Sequence, residues 1–118
     1  PTTQAAITQQ TGESLEERIN NFKIHNKLGI QAFDAKNFSS ALEHFNQALK
    51  LEPLNSGAML NRIQVFIQLL KQGNSEQRIE QRKNCQSSFN LLKNTQLSIE
   101  HTQRLQALKD EFTELTKS

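Results

Sequence analysis

The most constraining feature of this chain is a run of apolar residues at helical spacing that ends on a proline. Phe38, Ala41, Leu42, Phe45, Ala48 and Leu49 fall at i, i+3, i+4, i+7, i+10 and i+11. These positions share one face of a helix. Asn37 or Ser39 can cap its start. Glu52-Pro53 closes it, because proline disfavours helix in the residue before it and has no amide to donate.

Helical patterns flank this run on both sides. Upstream, Ser14-Leu15-Glu16-Glu17 reads as a capping box, followed by Leu15, Ile19, Phe22, Leu28, Ala32 and Phe33 at helical spacing. That helix is expected to end near Lys36-Asn37, since Asn tolerates the left-handed conformation that closes helices. Downstream, a third helix over 56–72 carries a broad stripe of Met59, Leu60, Ile63, Phe66, Ile67 and Leu70. Gly73-Asn74 stops it, and Ser75 can cap the next. The fourth, over 76–93, has a thinner stripe of Ile79, Cys85, Phe89 and Leu92 and should be peripheral. The fifth begins near Ser98 and carries Ile99, then Leu105, Leu108, Phe112 and Leu115 in a narrow seam like that of a coiled coil. Short connections between the five make consecutive helices antiparallel neighbours.

Composition agrees with an all-α chain. The 118 residues suit one domain and include only two prolines and four glycines. The lone cysteine, Cys85, excludes an internal disulfide and fits a reducing compartment. No apolar run reaches the roughly 18–20 residues that span a bilayer, and the first residues do not read as a basic-then-apolar signal-peptide pattern. A cytoplasmic protein without membrane contact is expected. Fourteen basic and twelve acidic residues, interspersed, leave a net charge of +2, which argues against nucleic acid as a partner. Residues 1–13 are rich in Thr, Gln and Ala and read as a linker or disordered arm, with the helical domain over 14–118. A chain that begins at Pro1 suggests a piece of a longer protein; a processed N-terminus is the alternative.

Residues His25 to Pro53 resemble the tetratricopeptide repeat, whose pattern is W-x2-L-G-x2-Y, then A-x3-F, then P within about 34 residues. Leu28-Gly29 sits in the L-G place, Ala41-x3-Phe45 in the A-x3-F place, Ala48 three residues later, and Pro53 closes the unit. Gly29 and Ala41 would let the two helices approach, Phe45 and Leu28 would fill the space around the crossing, and Ala48 would let the next repeat dock. His25 replaces the usual Trp and Ala32 the usual Tyr. The clearest repeat spans 22–55; a degenerate second repeat spans 56–95 and a C-terminal helix spans 98–116. The resemblance implies tetratricopeptide-like helical hairpins in a short right-handed α-solenoid with a degenerate cap. The fifth helix is either that cap or a seam for a second copy.

The resemblance also implies a function. Such repeats present a concave surface to a peptide or helix of another protein. The lining here would be Asn26, Ile30 and Phe33 from the first repeat, with Leu60, Asn61, Gln64 and Gln68 from the second; for Ile30, Phe33 and Leu60, burial beneath a terminal helix is the alternative. Its mixture of apolar and amide groups suits a peptide better than a highly charged ligand. Only Asn61 matches the Lys/Asn/Arg clamp by which one subclass grips acidic chaperone tails. The single clean repeat followed by a degenerate tail is also similar to the C-terminal halves of some bacterial response regulators, which implies a part in signal transduction. The residues themselves suggest no catalytic, cofactor or metal site. His25, His44 and His101 lack ligand partners at metal-binding intervals. His25 should be packed and His44 solvated. Arg78, Arg82 and Lys83 read as a solvated basic face, paired with Glu76 and Glu80. Two functions of different class remain: a protein-binding adaptor, and a homodimer module that pairs through the fifth helix.

Overall fold

The computed structural model describes residues 14–117, so the arm expected over 1–13 lies outside the described residues. Five helices follow in order: α1 (Leu15–Asp34), α2 (Phe38–Leu51), α3 (Ser56–Gln72), α4 (Ser75–Lys93) and α5 (Ile99–Thr116). No strand occurs among the described residues. The fold is all-α, built of tetratricopeptide-like helical hairpins.

Side-chain caps set the helix starts. Ser14, Asn37, Asn55, Asn74 and Ser98 each accept from the amide three residues on. The expected capping box at Ser14 forms only its first half; the reciprocal box is at Asn74 and Gln77. Asn74, not Ser75, thus caps α4. Asn37 does not close α1 in the left-handed region. Lys36 takes that conformation instead, at φ 65°, because Asn37 is already engaged in capping α2 through Ser40. Gly73 ends α3 at φ −75°, so it contributes no left-handed turn.

Helix α3 is the centre of the molecule. It packs on α2, α4 and α5, and only lightly on α1. Ala58, Met59, Leu60, Ile63, Val65, Phe66, Ile67 and Leu70 are all buried. Val65 lies off the stripe read from the sequence and meets Phe38, Ala41 and Phe45 on the α2 side. A helix apolar on most of its circumference belongs in the interior. Cys85 is fully buried, and desolvation pushes its thiol up to about 12. It therefore serves as a small apolar residue.

The α1–α2 crossing rests on a glycine and an aromatic ring. A Cβ at Gly29 would lie 2.6 Å from Cδ1 and 2.9 Å from Cζ of Phe45. Ala41 is completely buried in the same cluster as Phe45, and Ala48 in the main core against α3. Leu28 does not fill the crossing as expected. It is 37% exposed, since consecutive residues point about 100° apart on a helix and Gly29 holds the inward position. Pro53 is exposed at the bend, after Glu52 has left the helix at ψ 82°.

The seam on α5 is spent inside the chain. Leu105 and Leu108 are buried in the main core, Phe112 meets Phe89 edge-on at 5.5 Å, and Leu115 packs against the same cluster. The helix caps the α3–α4 face, and these residues offer no free seam to a second copy. The basic cluster differs as well. Arg78 donates to the carbonyls of Leu70 (2.6 Å) and Leu115 (3.0 Å), and Arg82 to that of Thr116 (3.2 Å). These side chains bind the C-terminal ends of α3 and α5 rather than pairing with Glu76 and Glu80. His44 is half-buried, not solvated; its ring faces that of His25, with Nδ1 atoms 3.3 Å apart.

Gly29→Ala tests the crossing. The methyl favours helix by about 1 kcal/mol, but overlap with Phe45 costs about 1–3 kcal/mol. Chemical denaturation should show a net loss of up to about 2 kcal/mol. In a Phe45→Leu background the same change should be neutral or stabilising.

Candidate functional site

The thin contact between α1 and α3 leaves a gap that α5 partly closes. The result is a pocket of about 220 Å³ lined by Ile30, Phe33, Asp34, Phe45, Asn61, Gln64 and Arg104. Each element supplies its part through helical periodicity. Ile30 and Phe33 stand one turn apart on α1, and Asn61 and Gln64 one turn apart on α3. Phe45 reaches the pocket because its ring lies over Gly29, where no side chain intervenes. Phe33 is braced by the tilted ring of Phe38, 5.3 Å away.

A polar relay crosses the three helices. Arg104 donates through Nη2 to Asn61 Oδ1 (2.6 Å) and to Gln64 Oε1 (2.7 Å). Asn61 in turn donates through Nδ2 to Asn26 Oδ1 (3.1 Å). Asn61 is thereby held at both ends of its amide. Burial lowers the pKa of the Arg104 guanidinium by desolvation. Charge-assisted donation to two amide oxygens offsets part of that cost.

The residues expected to line the groove are distributed unevenly. Ile30, Phe33, Asn61 and Gln64 meet in the pocket, and Asn26 joins through its bond to Asn61. Leu60 does not take part. It is fully buried in the main core, one position round α3 from Asn61. Gln68 is half-buried one turn beyond Gln64 and outside this pocket. Arg104 and Asp34 were not anticipated. Arg104 sits beside Leu105 and four residues before Leu108, so the α5 seam already pointed it toward α3.

A larger groove of about 610 Å³ runs along α2 and α3, past Ser39, Glu43, Asn46, Lys50 and Arg62. It is shallow, and polar and apolar surface line it in similar measure. Its guanidinium lies over the Phe66 ring (5.7 Å) and donates to Asn46. The smaller pocket is the better candidate, because four helices line it and apolar and charged groups converge there. Among the described residues, no group of three His, Cys, Asp or Glu side chains could hold a metal ion, and no helix is long and apolar enough to cross a membrane.

Leu60→Ala should cost about 2–5 kcal/mol in thermal or chemical unfolding, as core truncations do. Gln68→Ala should stay within about 0.5 kcal/mol, as expected away from core contacts. Comparable losses at the two positions would contradict this assignment of core and surface.

The family model of the tetratricopeptide repeat matches residues 22–55, which run from α1 through α2 to the cap of α3. No curated protein and no solved structure matches the chain. Repeats of the matched family generally mediate protein–protein interaction.

Proposed function

We propose that this chain is a protein-binding module that seats a segment of its partner between α1, α3 and α5. The pocket itself carries this reading: an apolar wall, a row of amides and one cation meet at a gap between helices. Its volume of about 220 Å³ lies below the roughly 300–1,000 Å³ typical of small-molecule sites. It suits one apolar side chain of a peptide or helix, held against Ile30 and Phe33. The polar ends of Gln64 and Asn26 stand ready beside it for the partner's polar groups. Scaffolding of this kind needs no catalytic group, and the buried Cys85 thiol is not poised as a nucleophile.

The narrower form of the reading places the module in the cytoplasm, in a bacterial signalling protein of the response-regulator kind. It rests on the resemblance of the single clean repeat and its degenerate tail to such proteins. Self-association through α5 is the weaker alternative, because its seam is occupied by α3 and α4.

The test uses the whole chain as bait for a displayed library of random peptides, with affinities measured by calorimetry. Peptides with an apolar anchor should be recovered. Ile30 is 42% exposed, so Ile30→Asp should leave the melting temperature nearly unchanged. It should weaken binding at least about tenfold by placing a charge against the apolar anchor. Failure to recover any peptide, or equal binding by the variant, would overturn the reading.

A further inference from the structure

Among the described residues, Lys71 and the arginines other than Arg104 are engaged elsewhere by the chain itself. Lys71 pairs with Glu111 at 2.6 Å, and Arg78 and Arg82 bind helix-end carbonyls. Arg18 donates to the Leu51 carbonyl. Arg62 lies over Phe66, and its Nε is buried out of reach. Arg104 differs in place and in bonding. It stands at an apolar pocket, only half-exposed, and no carboxylate among the described residues lies within ion-pair distance of it. Both of its hydrogen bonds leave from Nη2, so Nε and Nη1 make none within the described chain. A guanidinium has five N–H donors in a rigid fork. Here one corner is clamped by Asn61 and Gln64, which fixes the direction of the rest.

We propose that the partner segment carries a single Asp or Glu next to its apolar anchor, and that Arg104 receives this carboxylate. The inference rests on the pocket being the docking site. A partly desolvated cation without a counter-ion gains more from an incoming carboxylate than an exposed one, because less water must be displaced and screening is weaker. Preorganisation adds to this, since the guanidinium need not be ordered again on binding. Asp34 sets the limit on charge. It lines the same pocket without pairing to Arg104, so a run of acidic residues would meet a like charge there. One carboxylate beside an apolar residue satisfies both ends.

Peptides selected on the whole chain should therefore be enriched in Asp or Glu adjacent to the apolar anchor. Their affinity should fall as NaCl is raised. Replacing that Glu by Gln in a selected peptide, against the unaltered protein, should weaken binding at least about tenfold, as loss of a charged hydrogen bond does. Arg104→Gln should reproduce the loss and Arg104→Lys should recover part of it, with folding checked by circular dichroism. The peptide substitution keeps the test valid if Arg104→Gln fails to fold. Peptides that bind and are lost with Ile30→Asp, yet show no acidic enrichment or tolerate Glu→Gln, would overturn this inference and leave the binding module standing. Recovery of no peptide would overturn both.

Discussion

The ring of Phe45 lies directly on the backbone of α1, in the space that Gly29 leaves open. Much of the first hairpin depends on that contact. A side chain at residue 29 would push the helices apart, and Ala41 would lose packing with Phe45. The same contact shapes the pocket. Phe45 lines the gap between α1 and α3, one turn of α1 carries the chain from Gly29 to Phe33, and the intervening Ile30 lines the same gap. The residues that make the repeat fold and the residues that line the candidate site are thus partly the same ones. A substitution at Gly29 or Phe45 would alter both, whereas Ile30 and Arg104 can be changed with less risk to the crossing.

Much of the fold was legible because its signals are local. The apolar run from Phe38 to Leu49, the stop at Glu52-Pro53 and the cap at Ser14 depend on residues within a few places of one another. The limits of α3 followed from the sequence for the same reason. Errors arose where two local roles competed for one residue. Asn37 could close α1 or open α2; its side chain does the second, and Lys36 takes the left-handed turn. At Asn74 and Ser75, both acceptable caps, the reciprocal bond from Gln77 favours the asparagine.

The candidate site was legible only in part. The resemblance to the repeat pointed to Asn26, Ile30 and Phe33 on α1, and to Asn61 and Gln64 on α3. It could not say that Leu60 turns into the core, because adjacent positions on a helix with a wide apolar face differ by only part of that face. Long charged side chains were the harder problem. Arg78, Arg82 and Arg104 all look like solvated surface in sequence, yet each reaches an acceptor 34 to 43 residues away. Flexible stems let a guanidinium travel far from its own backbone. Its partners are then carbonyls and amides, which carry no charge pattern that a sequence reading could match to it.

Helix α5 links these observations. A solenoid of helical hairpins leaves an apolar face at each end, and something must cover it. Here the Leu105–Leu108 stripe covers α3 and α4, which removes the seam that a second copy would have needed. Because α5 lies chiefly on α3 and only lightly on α4, its polar flank is carried toward α1. Arg104 occupies that flank and ties Asn61 and, through it, Asn26. The same helix therefore also supplies the charge of the gap between α1 and α3. Covering the apolar end of the array and furnishing the pocket with a cation are two faces of one helix, and the spacing of Arg104 from Leu105 and Leu108 makes each follow from the other.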